Sequence, residues 1–267
     1  MPTAATDNAD SLLAGRAIPV AAPIAIPVPV PVTVPVPDTR PVDLPDGLVR
    51  VRVWDLPTRV FHWSLASAIA GLVATGYAGG AWIDWHARIG SLVLALLMFR
   101  VLWGFVGGSW SRFAVFVPTP AQLKRYLRGE AGPDAETGHS PLGALSVLAM
   151  LGVLLLQAAS GMVSDDGAGF TGPLNEYVSS ASGLLATALH KDVGQWLLLA
   201  LVLLHVLAIA YYRIVKRKRL VQAMVGGDKL LPAAAATRSV RDNAGTRALA
   251  LTLFVGCLLV VQGGIGG

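Results

Sequence analysis

The chain has 267 residues, of which 54% are hydrophobic and only 14% charged, against about a quarter charged in a soluble domain. The net charge of +5 is small and no basic patch on a soluble fold is visible, which excludes a nucleic-acid partner. The single cysteine, Cys257, excludes an intrachain disulfide, and also a zinc finger or iron–sulfur cluster built from this chain alone; inside an apolar run it reads as a small packing or lipid-facing residue.

Residues 1–48 read as a Pro/Val/Ala-rich arm. Proline recurs from Ile18 to Pro37 too often for a helix and removes donors that a sheet needs. Polyproline II or disorder is expected, as an untethered cytoplasmic tail, with a docking arm for a partner as the other reading. The first residues lack a basic start followed by an uninterrupted apolar core, so no cleavable signal peptide is expected. The first spanning helix then acts as the insertion signal.

The folded part begins near Val49. Apolar blocks close to the roughly 20 residues that cross a bilayer predict helices over Val60–Gly80, Trp85–Val106, Pro141–Val163, Leu189–Tyr212 and Thr246–Gly263. Pro141 stands at a first-turn position, where proline is tolerated. The fold class is all-α and polytopic: a four-helix transmembrane bundle over 49–230, then a linker and a fifth, C-terminal transmembrane helix over 231–267. Such a chain has membrane lipid as its first partner.

Basic residues set the orientation. Arg50, Arg52 and Arg59 precede helix 1, Arg112, Lys124, Arg125 and Arg128 follow helix 2, and Arg213 with residues 216–219 follows helix 4. The segment between helices 3 and 4 carries Asp165, Asp166 and Glu176 and no lysine or arginine. The positive-inside rule puts the N-terminus, the 2–3 loop and the 4–5 loop in the cytoplasm, and the C-terminus outside.

Four of the five histidines lie in or at the ends of these helices. Polar ligating groups in a bilayer are costly and usually functional. His62, early in helix 1, and His205, late in helix 4, share the inner level; His86 and His190, at the starts of helices 2 and 4, share the outer one. On helix 4 the two levels are about 22 Å apart at 1.5 Å per residue. Fifteen steps of 100° leave His190 and His205 about 60° apart in azimuth, so both can face the bundle interior. Two imidazoles opposed across a bundle suit six-coordinate haem iron. Zinc would want a third and fourth ligand, and no Cys or Glu stands at either level in the helices. Any one histidine alone would equally suit a hydrogen-bonded interior role; the argument rests on four at two matched depths. His139, ahead of helix 3, has no partner at its level and reads as an interfacial or loop residue.

Arg100 lies about 21 Å inward of His86 along helix 2 and about 40° from it in azimuth. At the inner level it would meet a haem propionate, or else snorkel to the interface. Arg59 and Arg88 are further propionate candidates at the inner and outer edges. Gly71, Gly76, Gly90, Gly161 and Gly194 leave room for a flat macrocycle, and equally suit ordinary helix packing.

These residues resemble the prokaryotic cytochrome b561 family, which includes the b-type cytochrome subunits of nickel–iron hydrogenases. The resemblance spans about Val51 to Lys229. It is carried by Val53-Trp54-Asp55-Leu56-Pro57-Thr58-Arg59 leading into Phe61-His62-Trp63, by Trp85-His86-Ala87-Arg88-Ile89-Gly90, and by Phe99-Arg100-Val101-Leu102-Trp103-Gly104. Gly138-His139-Ser140-Pro141-Leu142-Gly143, His190-Lys191-Asp192-Val193-Gly194, His205 and Leu220-Val221-Gln222-Ala223-Met224 complete it. It implies a bundle binding two haems b, with His62 and His205 as ligands of the inner iron and His86 and His190 of the outer one. The His190–His205 gap is one residue longer than the fourteen of many relatives. Helix 5 and the proline-rich arm lie outside the common core.

The resemblance further implies electron transfer across the bacterial cytoplasmic membrane, between the quinone pool and a periplasmic c-type cytochrome or hydrogenase-like subunit. Quinone-linked oxidoreductase activity would be one form of it. No CxxCH occurs, so covalent haem is not expected. The rival readings are a transporter using membrane histidines and a non-redox anchor for an oxidoreductase. A transporter would favour carboxylates and broken helices at mid-depth, and Asp and Glu are absent from the predicted helix interiors.

Overall fold

The computed structural model describes residues 47–132, 137–232 and 239–265; the proline-rich arm read from the sequence lies outside them, apart from its last residues. Five helical spans are long and apolar enough to cross a membrane. In chain order the elements are β1 (Leu48–Arg52), α1 (Leu56–Ala78), α2 (Ile83–Val106), the short α3 (Phe113–Phe116) and α4 (Pro120–Leu127), α5 (Pro141–Val163) and α6 (Ser180–Ala188). A π-helical turn (Leu189–Gly194), α7 (Gln195–Ile214), α8 (Leu220–Gly226), β2 (Asp228–Pro232) and α9 (Ala244–Ile265) follow. The segments α6, π turn and α7 run on as one span, Ser180–Ile214. Helices meet the demand of a bilayer interior because each satisfies its own backbone.

The helix starts differ from the sequence reading where a cap decides them. α1 begins at Leu56 rather than Val60 because Asp55 caps it. The fully buried Asp55 carboxylate accepts from Thr58 N at 2.8 Å and, through its other oxygen, from Gly108 N at 3.2 Å. One side chain thus starts α1 and fixes the turn after α2, and the Thr58 and Ser111 hydroxyls, 2.7 Å apart, close the same joint. Such a cap contributes about 1 kcal/mol. The fourth span begins at Ser180, not Leu189, capped by Ser179, which accepts from Ser182 N. Its first turns are rich in Ser, Gly and Ala, which dilute the apolar signal while suiting close helix approach.

The two-stranded ribbon was not foreseen. β1 pairs antiparallel with β2, from Leu48 opposite Pro232 to Arg52 opposite Asp228. The chain enters it through Gly227, whose carbonyl accepts from Val53 N at 2.9 Å and Trp54 N at 3.0 Å. Gly227 has a φ of 91°, and a Cβ there would stand 2.7 Å from the Trp54 carbonyl oxygen, so glycine is required. Arg52 bridges Asp228 and Asp242, and Arg247 reaches Asp242 at 2.9 Å. Lys229 Nζ donates to the Thr137 and Gly138 carbonyls. The segments before α1, between α2 and α5 and between α7 and α9 therefore gather at one end of the bundle, and they are the basic segments.

α2 is the central helix. Val93, Leu96, Leu97, Phe99 and Trp103 are buried along it, with α1, α5 and α9 packed around. α9 lies against α2 through Phe254, whose ring meets Phe99 edge-on at 6.1 Å. Cys257 is buried in this seam, so of its two readings the packing one holds. α7 packs on α5 and turns Leu203, Leu207 and Ile214 outward, as a lipid-facing helix does.

Candidate functional site

The bundle brings the four membrane histidines together as two pairs from different helices. His62 of α1 faces His205 of α7 with ring centres 6.4 Å apart and planes at 50°. His86 of α2 faces His190 of the π turn at 6.1 Å and 78°. Among the described residues no hydrogen bond joins the two rings of either pair. Two imidazoles bound through nitrogen to opposite sides of one metal, at about 2.0–2.1 Å and with about 1.1 Å from nitrogen to ring centre, have centres about 6.3 Å apart. Both pairs stand at that spacing. No group of three or more His, Cys, Asp and Glu side chains comes together among the described residues.

The outer pair is oriented by the neighbouring helices. His86 Nδ1 lies 3.0 Å from the Leu72 carbonyl and 3.3 Å from Thr75 Oγ1. His190 Nδ1 lies 2.9 Å from the Gln157 carbonyl and 3.2 Å from Ser160 Oγ. A carbonyl only accepts, so Nδ1 of each ring carries the proton and Nε2 keeps its lone pair for a ligand. Glycines sit beneath both rings. A Cβ on Gly76 would stand 3.2 Å from His86 Cε1, and one on Gly161 3.1 Å from His190 Cε1. Of the other glycines read from the sequence, Gly71 faces Ile89, Gly194 faces Gln157, and Gly90 has open space.

The π turn settles how one helix serves both levels. A π turn holds about one residue more than an α turn, so the fifteen residues from His190 to His205 span what fourteen would in a regular helix. The wider turn is held from α5: the His190 carbonyl accepts from Gln195 N within the turn and from Gln157 Nε2 at 3.0 Å. Gly194 makes this possible, since a Cβ there would overlap the Gln157 side-chain oxygen.

At the inner level the polar groups are less satisfied. His62 Nδ1 is buried with no hydrogen-bond partner among the described residues, and the same holds for Arg100 Nη1, Arg59 Nε and His139 Nδ1. Arg100 is 4% exposed, and its guanidinium lies 5.3 Å from the Phe113 ring and 5.6 Å from Phe116. A buried cation with an unmatched donor costs several kcal/mol, so this end of the bundle suits an anionic group. Arg59 donates to the Val225 carbonyl and stands 3.8 Å from Asp242, which leaves its Nε unmatched. Arg88 lies over Trp85 at the outer edge. His139 is in the loop ahead of α5, as read, but packed between Trp54 at 4.7 Å and Phe116 at 5.3 Å.

Sequence reasoning missed the groups that hold the outer histidines: Leu72 and Thr75 on α1, and Gln157 and Ser160 on α5. A signal was present. Thr75-Gly76 and Ser160-Gly161 are the two hydroxyl–glycine pairs late in the helices that precede His86 and His190, and each hydroxyl follows the residue with the accepting carbonyl by three positions.

Residues 53–227 match the family model described as prokaryotic cytochrome b561. Among curated proteins, the probable Ni/Fe-hydrogenase B-type cytochrome subunit of Azotobacter chroococcum mcd 1 is 28% identical over 222 residues, covering 68% of this chain and 92% of its own length. The protein of the same description from Rhizobium leguminosarum bv. viciae is 28% identical over 217 residues, covering 67% and 89%. The probable Ni/Fe-hydrogenase 1 B-type cytochrome subunit of Escherichia coli K12 is 26% identical over 137 residues, covering 42% and 57%. No solved structure matches the chain.

Proposed function

The chain belongs to the prokaryotic cytochrome b561 family and is a membrane electron-transfer protein carrying haem b; we propose that it carries two such haems, one at each histidine pair, and moves electrons between the quinone pool and a redox partner on the outer face of the bacterial cytoplasmic membrane. The observation that carries this reading is the stacking of two imidazole pairs at 6.4 and 6.1 Å, with α7 and the π turn before it contributing a member to each. The names of the relatives favour a hydrogenase over a c-type cytochrome as the outer partner.

When bound, haem supplies one-electron exchange between ferrous and ferric iron. His62 and His205 hold the inner group and His86 and His190 the outer one. Arg100 and Arg59 offer their unmatched donors to the inner carboxylates, which resolves the cost of burying them bare. Thr75 and Ser160, with the carbonyls beside them, keep the outer rings in one tautomer. The helices packed around the pairs leave all four rings half-buried. The basic end of the bundle faces the cytoplasm under the positive-inside rule, which puts the N-terminus inside and the C-terminus in the periplasm. A transporter and a non-redox anchor have no comparable observation in their favour.

The test is optical and analytical. The purified protein is expected to show the sharp reduced α-band of low-spin haem b and two irons per chain. A colourless protein, or one iron per chain, would overturn the proposal.

A further inference from the structure

The two outer histidines are held by one device used twice. On α1 the order is Leu72 carbonyl, Thr75 hydroxyl, Gly76; on α5 it is Gln157 carbonyl, Ser160 hydroxyl, Gly161. In both, the carbonyl, hydroxyl and glycine fall at positions i, i+3 and i+4, one face of a helix. In both, the hydroxyl donates within its own helix. Thr75 Oγ1 gives its proton to the Gly71 carbonyl at 2.7 Å, and Ser160 Oγ to the Gln157 carbonyl at 3.0 Å. A hydroxyl whose proton is already used must accept, so the imidazole N–H is shared between a carbonyl and an oxygen lone pair. The glycine removes the Cβ that would otherwise push the ring off these acceptors.

We infer that Thr75 and Ser160 are positioning residues that, with the Leu72 and Gln157 carbonyls and the glycines beneath, fix the His86 and His190 rings and set the reduction potential of the outer iron site; this rests on the two-haem reading. An acceptor on Nδ1–H makes Nε2 a stronger base. A stronger nitrogen donor favours ferric over ferrous iron and lowers the potential. Among the described residues the inner pair shows no such device. His62 Nδ1 is buried without a partner, and no hydrogen bond to His205 occurs among the described residues. The effect is therefore confined to one of the two sites, which makes it separable from a general loosening of the bundle.

The experiment is a potentiometric titration of the full chain, followed at the haem α-band, on Thr75→Val, Ser160→Ala and the double variant, with Thr75→Ser and Ser160→Thr as conservative controls. The outer component is identified as the one absent from His86→Ala. In the variants that component is expected to shift to higher potential, further in the double variant, while the inner component stays in place. The conservative controls return it to the parent value. Loss of the outer component alone in the apolar variants, restored by the conservative ones, would equally support positioning by the hydroxyl. Unchanged potentials, an equal shift of both components, or loss that the conservative variants fail to restore would overturn the inference. A parent protein with no haem, or one component only, would overturn the two-haem reading instead, so the two failures are distinct.

Discussion

His86 and His190 stand with ring centres 6.1 Å apart and planes at 78°, His86 hydrogen-bonded to α1 and His190 to α5 rather than to each other. Each ring is fixed independently, so removing one should not rescue the function of its partner. His86→Ala and His190→Ala are expected to lose the same half of the haem, and His62→Ala and His205→Ala the other half. A double variant within one pair should lose no more than either single one, and a double variant across pairs should lose all. Pyridine haemochrome and iron per chain measure this; four unrelated partial losses would count against the pairing.

The π turn gives a second expectation. Its carbonyl at His190, already bonded to Gln195 N, is also held by Gln157 Nε2, and Gly194 leaves the room. Gln157→Leu keeps the volume and removes that bond, and Gly194→Ala puts a methyl where the Gln157 side-chain oxygen lies. Either change should let the turn relax towards a regular helix and swing His190 out of register. The expected outcome is loss of outer haem with the inner haem retained, read as about half the parent absorbance. Leu198→Ala, on the same span but away from the turn, should cost stability of about 2–5 kcal/mol without this selective loss.

The membrane spans and the meeting of His62 with His205 were legible because both follow from long-range regularities: apolar run length and distance along a helix. The ends of the elements were not, because single side chains set them. Asp55 pulls α1 back to Leu56 through a buried cap that hydropathy does not register. Ser180–Ala188 is helical yet poor in large apolar residues, so a window tuned to spanning helices starts too late. The β1–β2 ribbon joins residues nearly the whole length of the folded part apart, and nothing local in Leu48–Arg52 announces a partner at Asp228–Pro232. The azimuth reckoned for His190 assumed a uniform 100° per residue, which the π turn breaks. His139 looked unpartnered because its neighbours, Trp54 and Phe116, come from distant segments.

Arg100 offers a test that separates haem-loaded from haem-free protein. Bare, its guanidinium is a buried cation with an unmatched donor between Phe113 and Phe116. Replacing such a group with an apolar side chain of similar length is often neutral or stabilising by about 1–4 kcal/mol. Arg100→Met is therefore expected to leave the haem-free protein as stable as the parent or more so, while weakening retention of the inner haem. Thermal denaturation of both forms in detergent measures the first, and haem loss to apomyoglobin the second. Equal retention of the inner haem by parent and variant would rule out a carboxylate at Arg100.

The last prediction concerns acid. Burial between Trp54 and Phe116, with Arg100 and Lys229 nearby, pushes the His139 imidazole down from 6.5 to about 3. The unfolded chain takes up a proton below pH 6.5, whereas the folded chain holds the ring neutral until about pH 3. Between these values the unfolded state binds more protons, so stability rises with pH and is lost progressively as pH falls from 6.5 towards 3. The loop ahead of α5 should therefore loosen on mild acidification. His139→Phe keeps an aromatic ring between Trp54 and Phe116 and removes the titration. The apparent Tm of the parent is expected to fall more steeply with acidification below pH 6.5 than that of His139→Phe, a difference of about one proton in slope at most. Parallel curves for the two proteins would show that the ring is protonated in the folded state.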